Sequence, residues 1–119
     1  MTKRPYGSKG NRAEGVLELV HSDVCGPMNI RARGGYEYFV TFIDDYSRYG
    51  YVYLMHHKSE TYDKFREFRA EVEKQLGRPI KALRSDRGGE YLSDEFLGHL
   101  LENGILSHLT APGTPQQNG

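Results

Sequence analysis

At 119 residues, 37% hydrophobic and with 14 glycines, the chain is long enough for one domain and too short for two. Sixteen Lys and Arg balance 16 Asp and Glu, which excludes the broad positive field of a non-specific nucleic-acid binder and leaves polyanion contact to a local patch or a bound cation. The single cysteine, Cys25, excludes an internal disulfide framework and a zinc site with several cysteine ligands; no apolar run reaches membrane-spanning length, and Met1–Arg12 is too polar for a secretory signal, so an intracellular, reducing setting is expected.

Residues 1–15 carry Lys3, Arg4, Lys9 and Arg12 among Gly, Ser and Pro with almost nothing apolar to bury, the composition of a basic flexible arm. The stretch Leu17-Glu18-Leu19-Val20-His21-Ser22-Asp23-Val24-Cys25-Gly26-Pro27 reads as a strand that is apolar on both faces, hence central in its sheet. It carries one carboxylate, Asp23, near its end, where charge needs a cation, a metal or hydrogen-bond donors. Tyr36–Ile43, dense in aromatic and β-branched residues, is the strongest strand signal. Asp44-Asp45-Tyr46-Ser47-Arg48 makes a polar turn into Tyr49–Met55, so these two strands form an antiparallel hairpin. Asp44 and Asp45 are read as turn residues rather than metal ligands, because neighbours on an extended chain point apart.

Ser59 is placed to cap a helix whose apolar positions fall at Tyr62, Phe65, Phe68, Val72 and Leu76, with Gly77 and Pro79 ending it. Ile80–Ser85 follows as a strand ending at Asp86. A strand reached through a crossover helix lies parallel to an earlier one, and pairing beside the first strand would make Asp86 and Asp23 neighbours. A second helix is expected over Ser93–Asn103, burying Phe96, Leu97, Leu100 and Leu101, with Gly104 closing it before a last strand, Ile105–Leu109. Gly88-Gly89 read as the turn after Asp86; no Gly-x-x-x-x-Gly-Lys run is present, so no nucleotide cofactor is expected. His21, on the same strand face as Asp23, is read as a packed or hydrogen-bonded side chain, and His56, His57, His99 and His108 lack metal-ligand spacing.

Four ordered motifs carry a resemblance: His21-Ser22-Asp23-Val24-Cys25-Gly26-Pro27, Phe42-Ile43-Asp44-Asp45-Tyr46-Ser47-Arg48, Leu83-Arg84-Ser85-Asp86-Arg87-Gly88-Gly89-Glu90-Tyr91 and Thr114-Pro115-Gln116-Gln117-Asn118-Gly119. Together they resemble the integrase catalytic core of copia-type retrotransposon polyproteins, over roughly Leu17–Gly119. The resemblance implies an α/β, ribonuclease H-like fold: a five-stranded mixed sheet, an antiparallel three-strand meander followed by parallel strands, with helices on both faces and the last helix missing. It divides the chain into the arm, 1–15, and an incomplete core, 16–119. It implies that Asp23 and Asp86 are catalytic and metal-holding, as the first two of an acidic triad, with Mg²⁺ or Mn²⁺ in a two-metal site of the complete core. The third member, a Glu, would fall beyond Gly119, so the chain by itself is expected to be inactive; Glu90 lies outside the triad pattern. Pro115, Gln116, Gln117, Asn118 and Gly119 would meet substrate DNA. DNA is the implied partner, both element ends and target, with a homo-oligomer in the full integrase, no membrane, and an intracellular location in cytoplasm and nucleus. Two other readings stay open here: a non-catalytic relic of the fold that binds nucleic acid or a partner, and a ribonuclease H-like nuclease.

Overall fold

The computed structural model describes residues 13–28 and 34–110. Five strands and two α-helices follow the chain: β1 (Val20–Cys25), β2 (Tyr38–Asp44), β3 (Gly50–Met55), α1 (Thr61–Leu76), β4 (Ala82–Asp86), α2 (Asp94–Glu102) and β5 (Leu106–Thr110). The sheet order is β3-β2-β1-β4-β5, which puts β1 at the centre as its two-sided apolar character requires. β1, β2 and β3 form the antiparallel meander, and β4 and β5 run parallel to β1. Among the described residues no helix is long and apolar enough to cross a membrane.

One face of the sheet carries the core. Val20, Val40, Phe42, Met55 and Leu83 pack in a single cluster with Phe65, Phe68 and Val72 of α1 and Phe96 and Leu100 of α2. Phe42 is its hub, stacked on Phe68 at 4.7 Å between ring centroids and set edge-on to Tyr53 at 5.8 Å. Both described helices therefore lie on the same side. The opposite face, made of the alternate positions on every strand, carries no described α-helix, and Ile43, Val52, Leu54 and Leu106 are exposed on it. The second helical layer expected for this fold is not among the described residues.

Local details depart from the sequence reading at four places. β1 begins at Val20 rather than Leu17, because Leu17 takes a left-handed turn (φ 66°) while its side chain is fully buried. Ser59 does not cap α1: a 3₁₀ turn, Lys58–Glu60, precedes it, and Glu60 accepts the His57 N–H at 3.1 Å. Ser93 does cap α2, accepting the Phe96 N–H at 3.1 Å. Leu101, expected to be buried, is 82% exposed, since it lies well round the helix from the Phe96–Leu100 stripe. The turn read at Gly88-Gly89 is a second 3₁₀ turn, Gly89–Tyr91, and that it would bury Tyr91 had no sequence signal. At Gly26, whose φ is 137°, a Cβ would meet the Glu37 carbonyl at 2.7 Å, so the exit from β1 accepts only glycine.

Candidate metal centre

Asp23 and Asp86 sit at the ends of neighbouring parallel strands. The register pairs Val20 with Leu83 and His21 with Arg84, and extended two residues beyond the paired stretch it would set Asp23 level with Asp86 on the same face. Pairing between β1 and β4 stops at His21 and Arg84, however, so no ladder hydrogen bond joins the strands where the two carboxylates stand. Both side chains are exposed. Asp86 Oδ1 accepts the Gly88 N–H at 2.9 Å, and among the described residues Asp23 Oδ2 has only the Cys25 thiol, at 3.7 Å. Most of the acceptor capacity of both groups is therefore uncommitted. The Cys25 thiol is pushed up by burial and by the charge and hydrogen bond of Asp23.

The other adjacent carboxylates are spent. Asp44 and Asp45 are 6% and 5% exposed. Asp44 Oδ1 accepts the Leu17 N–H at 2.7 Å and its Oδ2 the Ser47 N–H at 2.8 Å. Asp45 Oδ2 accepts the Ala13 N–H at 2.8 Å, while its Oδ1 meets His21 Nε2 at 2.8 Å and Arg48 at 3.4 Å. They form the β2–β3 turn, as the sequence suggests, and also fasten the segment before β1 onto it, which no local signal shows. Ala13, at the end of the expected flexible arm, belongs to this clasp; residues 1–12 lie outside the described residues. Burial alone would raise the Asp45 carboxyl, but the Ala13 N–H, His21 and Arg48 outweigh it and hold Asp45 below its ordinary range. His21 is thus a hydrogen-bonded side chain. His56 stacks on Tyr36, and His99 packs against Tyr62 and Phe65.

Among the described residues no three His, Cys, Asp or Glu side chains come together as a metal cluster. Glu90 is near but not a third partner of that kind. A Cβ at Gly88 would press on Glu90 Oε2 at 2.5 Å and on Asp86 Oδ1 at 3.1 Å, so a larger residue there would displace these carboxylates. Pro115, Gln116, Gln117, Asn118 and Gly119 lie outside the described residues.

A five-stranded sheet of this order, with two acidic residues at the ends of neighbouring parallel strands, can be compared with known proteins. The family model described as Integrase core domain matches residues 13–115. The chain belongs to the integrase core domain family. The retrovirus-related Pol polyprotein from transposon TNT 1-94 of Nicotiana tabacum is 49% identical over 96% of this chain, which covers 9% of that polyprotein. The corresponding polyprotein from transposon RE2 of Arabidopsis thaliana is 32% identical over 98% of this chain and 8% of its own length. This integrase core thus spans less than a tenth of the relatives it matches. Among solved structures, a chain of the simian T-cell lymphotropic virus intasome, in complex with PP2A regulatory subunit B56 gamma, aligns at TM-score 0.70 and 19% identity over 97% of this chain and 39% of that one. The HTLV-2 integrase catalytic core domain in complex with magnesium aligns at TM-score 0.65 and 18% identity over 83% of this chain and 63% of that one. The fold is the ribonuclease H-like fold of these integrase cores.

One element of this integrase core escaped the sequence reading. Tyr91, on the second 3₁₀ turn, is 2% exposed and its hydroxyl lies 2.8 Å from Ser22 Oγ. Burial pushes its hydroxyl pKa up, the Ser22 bond opposes that, and the charges of Asp86, Glu90 and Asp23 add to the rise. A buried tyrosine hydroxyl within electrostatic reach of both aspartates links the two halves of the site. Its only signal in the sequence is its place five residues after Asp86.

Proposed function

We propose that the chain is the metal-binding core segment of a retrotransposon integrase, with Asp23 and Asp86 as ligands for Mg²⁺ or Mn²⁺ and DNA as substrate. One observation carries this reading: among the described residues Asp23 and Asp86, which end neighbouring parallel strands and which the strand register extended by two residues would bring level, keep most of their oxygens uncommitted, whereas Asp44 and Asp45 have theirs filled. Such a donor set fits a hard divalent cation, which takes oxygen ligands and keeps several waters beside one or two carboxylates. A divalent cation bound there would supply Lewis-acid stabilisation of phosphate oxygens during in-line displacement at phosphorus. The protein's own contribution is to hold two anionic oxygen donors at the ends of two neighbouring parallel strands, on a face where a DNA backbone could approach them. Among the described residues, Ser22 faces the core and is hydrogen-bonded to Tyr91, and the Cys25 thiol beside Asp23 is kept from ionising by burial and by the Asp23 charge, so neither is prepared to act as a covalent nucleophile.

Transfer of DNA strands, the partner ends and the assembly of several copies are part of this proposal and belong to the longer protein, of which the matched relatives' polyproteins give the scale. Calorimetric titration of the chain with MnCl₂ tests it. Weak binding is expected, abolished in Asp86→Asn and retained in Asp44→Asn. Equal binding by Asp86→Asn and the unaltered chain would place the cation elsewhere.

A further inference from the structure

The two carboxylates end neighbouring parallel strands, yet the strands that carry them are no longer paired where they stand. The β1–β4 ladder ends at His21 and Arg84. The next fastening between the two segments is a side-chain bond: Ser22 Oγ to Tyr91 OH at 2.8 Å, between residues that are 8% and 2% exposed. Ser22 immediately precedes Asp23 and points to the opposite face. Tyr91 ends the turn that follows Asp86, its N–H donating to the Gly88 carbonyl at 3.0 Å, while the Gly88 N–H donates to Asp86 Oδ1 at 2.9 Å. A continuous route therefore runs from the backbone beside Asp23, through two hydroxyls and one tight turn, to the Asp86 carboxylate.

The chemistry of the pair argues for more than filling space. Tyr91 also packs its ring on Phe96, at 5.7 Å between centroids, and a phenylalanine would keep that contact without a buried hydroxyl to satisfy. A hydrogen bond is directional where apolar packing is not. It fixes the turn against β1 in one register, at the level where no backbone pairing does so.

We propose that the Ser22–Tyr91 hydrogen bond is a positioning clamp that sets the separation of Asp23 and Asp86 and thereby selects a small divalent cation. This rests on the reading of Asp23 and Asp86 as metal ligands. Mg²⁺ demands near-ideal octahedral geometry at short range, whereas Ca²⁺ tolerates longer and irregular coordination. A loosened pair of carboxylates loses Mg²⁺ first.

The test uses the whole chain with Tyr91→Phe, Ser22→Ala and Ser22→Thr, each titrated calorimetrically with MgCl₂ and CaCl₂, and each followed by amide hydrogen exchange without metal. Tyr91→Phe and Ser22→Ala are expected to weaken Mg²⁺ about tenfold, the lower end for groups that orient metal ligands, with Ca²⁺ changed much less, while Ser22→Thr retains the hydroxyl and the original ratio. Exchange at the Gly88 amide should quicken in the first two variants and stay slow in Ser22→Thr. A merely structural role would weaken both cations together. Unchanged Mg²⁺-to-Ca²⁺ ratio and unchanged Gly88 exchange in Tyr91→Phe would overturn the clamp. Should Asp86→Asn bind metal like the unaltered chain, the metal-site reading fails instead, and the Gly88 exchange decides whether the clamp exists without it.

Discussion

Four aspartates stand near the centre of the sheet, and their partners divide them into two kinds. Asp44 and Asp45 give their oxygens to the protein; Asp23 and Asp86 keep most of theirs. That division was half legible in the sequence. The DDYSR turn was readable because Asp favours such turns, but the N–H groups it captures come from Leu17 and Ala13, 27 and 32 residues earlier, and no local pattern reports them. Asp44→Ala should cost about 1–3 kcal/mol by stranding the buried Leu17 N–H, measured by urea unfolding, while leaving Mn²⁺ binding intact. Asp45 gives a pH dependence. Its folded-state pKa is held below the ordinary 3.8, so its contribution is present above that value and is lost as pH falls through the lower folded value. Stability should therefore drop more steeply below about pH 4 in the unaltered chain than in Asp45→Asn, as read from urea midpoints across that range.

At the scale of elements, period and punctuation located each strand and helix, and the misses have physical causes. Helix α1 shows five apolar positions at helical spacing and a left-handed Gly77 (φ 67°) at its end, both strong signals. Its beginning departs from the sequence reading because a 3₁₀ turn, Lys58–Glu60, precedes it, with Glu60 accepting the His57 N–H, and Ser59 lies inside that turn rather than at a cap. The short α2 has room for one buried stripe, and four leucine or phenylalanine residues over-supply it. Phe65→Ala, at a position that is fully buried in contact with Phe42 and Phe96, should cost about 3–5 kcal/mol. Leu101→Gln, at a position 82% exposed, should change stability by less than about 0.5 kcal/mol in the same urea assay. A large loss at Leu101 would mean that this side chain is covered in solution.

Among the described residues, the two α-helices clothe one side of the sheet. Its topology was readable because a meander followed by two helix crossovers admits few right-handed arrangements, and four motifs in order matched those of the integrase cores. Which face would be open was not readable, since both faces of β1 carry apolar residues. The open face combines the two free carboxylates with exposed Ile43 (37%), Val52 (63%), Leu54 (42%) and Leu106 (64%). Apolar surface of that kind is worth roughly 25 cal/mol per Å² when covered, and a few hundred Å² would be comparable with the net stability of a small domain. The isolated chain should accordingly self-associate with rising concentration, and the pair Val52→Lys and Leu54→Lys should shift it toward the monomer in light scattering coupled to gel filtration.

Where a divalent cation binds decides the role of Asp23 and Asp86, and paramagnetic broadening reads that residue by residue. With sub-stoichiometric Mn²⁺ added to the ¹⁵N-labelled chain, the amides of Asp23, Val24, Asp86, Arg87 and Gly88 should broaden first, while those of Asp45, Tyr46 and Ser47 and of the acidic groove formed by Asp63, Asp94, Glu95 and Glu102 stay sharp. Broadening that begins in that groove or at the β2–β3 turn, with Asp23 and Asp86 untouched, would contradict it.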